Sequence, residues 1–296
     1  MTIAAKVIAH SRADAGTPDL ITLQLRYPRF IHAEFMTHRV FSRNASSSRA
    51  IPVERMIRDV IDDPAMPVRW GANQPGMQDA GDHDALVLCG ASVAEVDHYG
   101  PYVSPDQAWC YARDKAVEMA RNFAMAGYHK QVVNRLLEPF GHISVVVTAT
   151  EWDNFFALRC HPDADPTMRA LAEAMRDAIA ASKPEIVDGG WSWHLPYITE
   201  EDLRSDVVQS KLQPEANRLL AMISAARCAR VSYLNHDGSS PDIDKDLALA
   251  KRLLESKHMS PFEHQAEACA NGVKKTYLTS NLRGWYQFRK IIEVAA

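Results

Sequence analysis

The sequence predicts an α+β domain built on a mostly antiparallel sheet flanked by long helices. Three observations predict it. Asp19 to Leu25 alternates apolar and polar residues, and Ile143 to Ala149 is rich in β-branched ones, as strands are. Residues 105–126 and 166–182 instead repeat their apolar residues every three to four positions, as helices do. These elements follow no regular β-α-β spacing, which argues against a parallel, doubly wound sheet.

Taken in order, Ile3 to Ala9 reads as a further strand beside Asp19 to Leu25. Pro28 marks a break; Phe30, Ala33 and Met36 then recur at helical spacing, so a short helix from Arg29 is expected to carry His38 and Arg39 near its end. Ser42 to Ser48, rich in Ser and Asn, reads as a loop. Residues 62–106 are rich in turn-forming residues, punctuated by Trp70, Tyr99 and Tyr102, and read as an irregular, lid-like segment. In the helix from Pro105, Trp109, Ala112, Ala116, Met119, Phe123 and Ala126 are expected to share a face, and Gly127 is placed to end it. A second helix over Val132, Val133, Leu136 and Leu137 is expected to stop before Pro139. Asp165 followed by Pro166 is a helix start, with Met168, Leu171, Met175 and Ala178 on one face. Helices are also expected at about 214–228, 244–256 and 279–292, with an alternating segment over Phe262 to Ala270. Asp19 to Arg39 and Phe262 to Lys290 share one pattern, a strand, a break and a helix whose end is aromatic and basic, so the chain carries an internal echo.

At 296 residues, 47% hydrophobic and 24% charged, the chain is long enough to bury a core without staples. A net charge of −4 excludes a protein that coats nucleic acid or an anionic membrane by bulk electrostatics, so any bound anion is held locally. No apolar run approaches the roughly 20 residues that span a bilayer, and Met1 to His10 lacks the pattern of a secretory signal; a cytoplasmic protein with no membrane partner is expected. The five cysteines form no C-x-x-C pair, as suits reduced thiols. No G-x-G-x-x-G or G-x-x-x-x-G-K-[ST] phosphate loop occurs.

The densest cationic stretch runs from His38 to Arg49 and on through Arg55 and Arg58, with only Glu54 opposing it before Asp59. Guanidinium forks beside serine hydroxyls bind phosphate oxygens directionally, although a solvated basic face has the same composition. Aromatic residues are not interleaved through it, which disfavours nucleic acid. Arg135 is expected mid-helix among apolar neighbours, where partial burial calls for an anion. Arg159 follows Trp152, Phe155 and Phe156 and precedes Cys160 and His161. The run from His161 to Pro166 offers an imidazole and two carboxylates, but Asp165 and Pro166 are better explained as a helix cap, so no metal is expected. Cys160 beside Arg159 and His161 is a candidate nucleophile, against the commoner role of a small buried cysteine.

Four segments together resemble the flavin-dependent thymidylate synthases: A-R-V-S-Y ending at Tyr233, H-M-S-P-F-E-H from His258, T-H-R-V-F-S-R-N-A-S-S-S-R from Thr37, and N-R-L-L-E-P from Asn134 with the following Trp152 to Arg159. In that family the S-P-F-E-H half comes first and here it comes last. The chain therefore resembles a circularly permuted member, a single domain over 1–296 in which 1–183 corresponds to the family's later half and 214–296 to its opening half. A duplicated strand–helix element then accounts for the internal echo.

The resemblance implies an enzyme that moves a one-carbon unit from methylenetetrahydrofolate to C5 of dUMP and reduces it to methyl. FAD is the implied cofactor, NADPH the electron source, and a homotetramer the assembly, with no cysteine nucleophile. It implies that Ser47, Arg49 and Arg135 hold the nucleotide phosphate. Arg159 is implied on the pyrimidine ring, catalytic together with His38. His38, Arg39, Asn154, Ser232, His258, Ser260 and Glu263 are the implied FAD contacts. Thr37 replaces the first arginine of the family's R-H-R triplet, Glu34 its nearby glutamine, and Ala45 an acidic residue. A carboxylate at Glu34 is costly near a phosphate or uracil unless paired or protonated, which leaves dUMP or dCMP, and a methyl or hydroxymethyl product, open. Gln287 or Arg289, from the C-terminal copy, is expected to supply what the N-terminal copy lost. A non-catalytic nucleotide-binding homologue is the alternative from another class.

Overall fold

Alternation along two neighbouring strands sets the architecture. The structure, a computed structural model, describes residues 3–13, 16–89, 102–187, 193–231, 240–269 and 275–295. Its main sheet draws on β1 (Ala4–Arg12), β2 (Leu20–Pro28) and β3 (Ser42–Ala45). After a small hairpin of β4 (Val87–Leu88) and β5 (Tyr102–Val103) come β6 (His142–Ala149) and β7 (Glu185–Ile186). The order β3-β6-β2-β1-β7 is antiparallel except for the edge pair of β1 with β7. A second, antiparallel sheet holds β8 (Trp193–His194), β9 (Ala266–Ala268) and β10 (Trp285–Gln287) in that order.

Between the strands, the first two thirds of the chain form α1 (His32–Phe35), α2 (Val53–Asp62), α3 (Pro105–Met125), α4 (Lys130–Val133), α5 (Asp153–Arg159) and α6 (Pro166–Ala181). Leu23, Leu25 and Tyr27 of β2 lie opposite Val147, Val145 and Ile143 of β6, and this apolar face is buried under Phe155 of α5 and Met168, Leu171 and Met175 of α6. The Asp165 carboxylate caps α6, accepting from the amides of Thr167 and Met168 at 2.9 Å.

The opposite face of the same strands is mixed, and Thr22 and Thr148 on it are fully buried beside Leu20 and Val146. Thr22 and Thr148 are cross-strand partners whose hydroxyls meet at 2.6 Å. Thr22 Oγ1 also lies 2.7 Å from His194 Nε2, and Thr148 Oγ1 lies 2.8 Å from His264 Nδ1. His194 Nδ1 continues the chain to Ser11 at 2.8 Å, and the Tyr197 hydroxyl donates to Gln24 at 3.0 Å. Such groups leave water only when hydrogen-bonded, so the C-terminal third is fixed to the sheet by polar pairing.

That third adds α7 (Glu200–Arg204), α8 (Asp206–Gln209), α9 (Glu215–Arg230), α10 (Ile243–Glu255) and α11 (Phe288–Ala295). Arg227, fully buried, ties three of these helices together: Nη2 donates to Asp202 at 2.7 Å, Nε to Asp246 at 2.8 Å and Nη1 to the Tyr197 carbonyl at 2.7 Å. Arg230 closes the quartet on Asp246. A buried pair that loses one partner costs about 3–5 kcal/mol.

The structure departs from expectation in five places. α1 ends at Phe35, so His38 and Arg39 lie in the turn beyond it; the Thr37 hydroxyl donates to the Glu34 carbonyl at 2.7 Å and competes with helix continuation. Ser42–Ala45 is a strand, not a loop, because the outer edge of β6 needs backbone partners. The helix expected over 132–137 breaks into α4 and two 3-10 turns, Asn134–Leu136 and Glu138–Phe140, as Asn134 spends its side chain on neighbouring backbone and Pro139 has no N–H to give. In α3 the residues buried are Val117 and Ala120, while Met119 is half exposed, since this helix packs on α2 and Leu137 rather than on the sheet. The last helix begins at Phe288, not near Thr279, because Trp285–Gln287 pairs with β9 and Ser280 and Gly284 take φ of 50° and 80°. The C-terminal arm of the echo thus holds two short strands where the N-terminal arm holds one.

Burial holds the His264 imidazole neutral, pushed down to about 3, and burial with the neighbouring His264 and His10 does the same to His194. Unfolded histidine titrates near 6.5. The unfolded chain therefore gains protons first as pH falls below 6.5, and stability is lost from there down toward 3. Each of these two histidines is expected to cost about 2 kcal/mol between pH 7 and 5. Urea unfolding at the two pH values measures this, and His264→Gln should reduce the difference by about 2 kcal/mol.

Candidate active site

Two clusters of cations gather at one end of the sheet. The first is organised around the turn that follows β3. Asn134 Nδ2 donates to the carbonyls of Ser48 at 2.8 Å and Ile51 at 3.0 Å, and Lys130 Nζ donates to that of Ala50 at 3.2 Å. The Ser48 hydroxyl, buried, donates to Glu138 at 2.6 Å. Glu138 also receives Arg135 Nη1 at 3.1 Å and Arg29 Nε at 3.3 Å. Burial opposes the charge of Glu138, but the Ser48 hydroxyl and the two guanidiniums outweigh it and hold the carboxyl below its usual range. Ser47 and Arg49 flank Ser48 and are exposed. Arg135 does not sit half-buried on a helix as expected: it leaves a 3-10 turn with its side chain 58% exposed, already paired with Glu138.

The second cluster is built where α5 ends against the turn after α1. Arg159 Nε donates to His38 Nε2 at 3.0 Å, Nη2 to the Thr37 hydroxyl at 3.3 Å, and Nη1 lies 3.5 Å from Glu34. Because an arginine Nε–H only donates, His38 Nε2 carries the lone pair and Nδ1 the proton. Burial, with Arg159 and Arg43 nearby, lowers the His38 pKa, so the ring is neutral. Phe155 presents its edge to it at a 4.8 Å centroid distance. Burial and Asp165 raise the Glu34 pKa against the pull of Arg159.

Arg43 of β3 lies between the clusters. Its Nη1 donates to the Met36 carbonyl at 2.9 Å, and the charges of Arg29 and Arg43 both act on His32, which is held neutral chiefly by burial. What the contacts bring together is the turn bearing Ser47 and Arg49 with the turn bearing Arg135 in one group, and His38 with Arg159 in the other.

Of the residues implied for flavin, Ser260 and Glu263 lie beside β3. The Ser260 hydroxyl donates to Asn44 Oδ1 at 3.1 Å, and Glu263 is ion-paired with Arg289 at 2.5 Å and acts on Arg43. Arg39, Asn154 and His258 are exposed, His258 lying 2.8 Å from the Ser256 hydroxyl. Ser232 lies outside the described residues. Gln287 is buried and donates to Asn281 at 2.9 Å and to Ser42 at 3.3 Å, while Arg289 pairs with Glu263 and Glu293. Neither contacts Arg159 or the Ser47 turn among the described residues. The Cys160 thiol is pushed up by burial, the opposite of activation. Sequence reasoning missed Arg29, Arg43 and Glu138, whose only signal was their place in or beside the cationic stretch and the N-R-L-L-E-P run.

The sequence profile of the thymidylate synthase complementing protein family matches residues 19–185, more than half of the chain. The chain belongs to that family. Membership makes it a flavin-dependent, thymidylate synthase-like methyltransferase. Both cation clusters fall inside the matched region. No curated protein matches. Among solved structures, the UMP/dUMP methylase PolB from Streptomyces cacaoi bound with 5-Br UMP is similar at 17% identity and a TM-score of 0.40, over 60% of this chain and 89% of that one. The flavin-dependent thymidylate synthase ThyX from Helicobacter pylori, complexed with FAD and dUMP, is similar at 16% identity and a TM-score of 0.34, over 54% and 67%. At these scores the likeness adds no argument to the family match. No described helix is long and apolar enough to cross a membrane.

The Ser47–Ile51 turn of this family member depends on Asn134. Asn134→Ala leaves two inward carbonyls without their donor and is expected to cost about 2–3 kcal/mol in denaturant unfolding, with weaker binding of pyrimidine monophosphates measured by calorimetry.

Proposed function

We propose that the chain transfers a one-carbon unit from methylenetetrahydrofolate to C5 of dUMP and reduces it to the methyl of dTMP, as a cytoplasmic homotetramer with NADPH as electron source. The observation that supports this reading most directly is the Arg159 guanidinium, locked by His38 and Thr37 inside a region that matches the family. Its three nitrogens are oriented before any ligand arrives, so a pyrimidine carbonyl meets a fixed cation. The negative charge that the ring must carry for C5 to act as nucleophile toward the incoming carbon is stabilised there. His38 acts by holding Arg159: its proton stays on Nδ1 while Nε2 is engaged. Ser47, Arg49 and Arg135 take the phosphate through hydroxyl and guanidinium donors.

The residues present fit FAD. Arg39, exposed, and Arg43, half-buried, offer cations for a diphosphate, and Asn154, His258 and Ser260 offer hydrogen-bonding groups. Ser232 and Glu263 complete the proposed set. When bound, FAD supplies the electron transfer that takes the added carbon to the methyl level. We also propose that residues 214–296 stand for the family's opening half in permuted order, since the Ser260–Glu263 turn and α9 both pack on β3.

A second reading is favoured by one observation, the Glu34 carboxylate beside Arg159. A carboxylate accepts from an exocyclic amino group, so dCMP is the alternative substrate and a 5-hydroxymethyl pyrimidine the alternative product. Product mass with dUMP or dCMP, methylenetetrahydrofolate and reductant decides between them. The purified protein is expected to be yellow, and Arg159→Ala should keep the flavin absorbance while lowering kcat about 100-fold or more. A preparation that is colourless and cannot be reconstituted would instead indicate a nucleotide-binding homologue without catalysis.

A further inference from the structure

Glu138 reaches three partners from three parts of the chain. It accepts from Ser48 of the turn after β3 at 2.6 Å, from Arg135 of the preceding 3-10 turn at 3.1 Å and 3.2 Å, and from Arg29 just after β2 at 3.3 Å. The carboxylate is largely sheltered, with 19% of its side chain exposed, as is Arg29 at 18%. Arg29 and Arg135 stand close enough to act on one another as like charges. Taken alone they would separate, the exposed Arg135 swinging into water. With the carboxylate between them, both guanidiniums and the Ser48 hydroxyl are held to one point, and the adjoining Ser47 and Arg49 are presented at the surface beside it.

We propose that Glu138 is a positioning residue that holds the Ser47–Arg49 turn and Arg135 in the arrangement that binds a phosphomonoester. The inference rests on the reading of this turn as the phosphate end of a nucleotide site, and it adds that an acidic residue is required for anion binding there. A phosphomonoester carries between −1.5 and −2 at neutral pH. Arg29 and Arg135 outnumber Glu138, and Arg49 and Lys130 stand beside the turn, so the local charge remains positive with the carboxylate ionised. Glu138 thus leaves the attraction in place and supplies geometry.

The sign of the effect separates this role from simple electrostatics. If Glu138 were only a nearby negative charge, removing it would tighten phosphate binding. As a positioning residue, its removal weakens it. Binding of inorganic phosphate, dUMP and deoxyuridine to the full chain is measured by calorimetry for wild type, Glu138→Ala and Glu138→Gln. Glu138→Ala is expected to weaken inorganic phosphate and dUMP by about 10-fold or more and to leave deoxyuridine unchanged. Glu138→Gln, which keeps an acceptor for Ser48 and Arg135, should recover part of the loss. Unchanged or tighter phosphate binding in Glu138→Ala overturns the proposal, and so does equal weakening of dUMP and deoxyuridine, which would mark a general loss of structure. A wild-type chain that binds neither phosphate nor dUMP also overturns it. If wild type binds inorganic phosphate in a Glu138-dependent way but does not bind dUMP, Glu138 keeps its role and the nucleotide reading falls.

Discussion

The contact between Thr22, Thr148 and the two buried histidines is the constraint on which the rest of the structure depends. A central pair of strands with one apolar and one polar face normally turns the polar face to water. Here that face is covered, and without His194 and His264 the hydroxyls at 22 and 148 would have only each other as partners. Their desolvation would cost a few kcal/mol and favour exposing the face again. The C-terminal third is consequently not an appendage: its β8 and the segment before β9 complete the hydrogen bonding of β2 and β6 at the centre of the main sheet.

The same docking fixes β3. This short strand has only one backbone partner, β6, and its outer edge is met by side chains and carbonyls of the C-terminal third: Ser42 by Asn281 and Gln287, Asn44 by Ser260 and the Cys228 carbonyl. Edge strands left bare invite pairing with another chain. Capping this one with polar side chains blocks that and also sets the start of the Ser46–Ile51 turn. Arg43, between Ser42 and Asn44, then points back to α1, so a single strand aligns the turn that presents Arg49 and the turn that presents His38.

Much of this was legible in the sequence where a pattern is local. The alternation of Asp19 to Leu25, the periodicity after Pro105 and the cap at Asp165 depend on neighbours a few residues away, and the corresponding elements are present. The failures share one cause. Ser42–Ala45 has the composition of a loop and is a strand only because β6 lies alongside; Thr279–Gly284 has helical spacing and is a turn because Trp285–Gln287 is claimed by β9. Partners more than 15 residues distant decided both. In the site, the cationic stretch and Arg159 were visible as residue types, whereas Glu138 looked like one acid in an apolar run. Its importance comes from Arg29 and Ser48, which the fold delivers from far along the chain.

An acidic protein can still present a cationic edge if its acids are spent elsewhere. The net charge is −4, yet the carboxylates near the candidate site are engaged: Glu138 with Arg29 and Arg135, Glu263 with Arg289, Glu34 at the margin of Arg159. Glu138, shared by Arg29 and Arg135, leaves one cation in surplus beside it. His38 and His32 add donors without adding charge, because burial and the adjoining arginines keep them neutral. Arg135, Arg29, Arg43 and Arg159 thus concentrate positive charge locally in a chain of net charge −4, which favours a small anion held at that point.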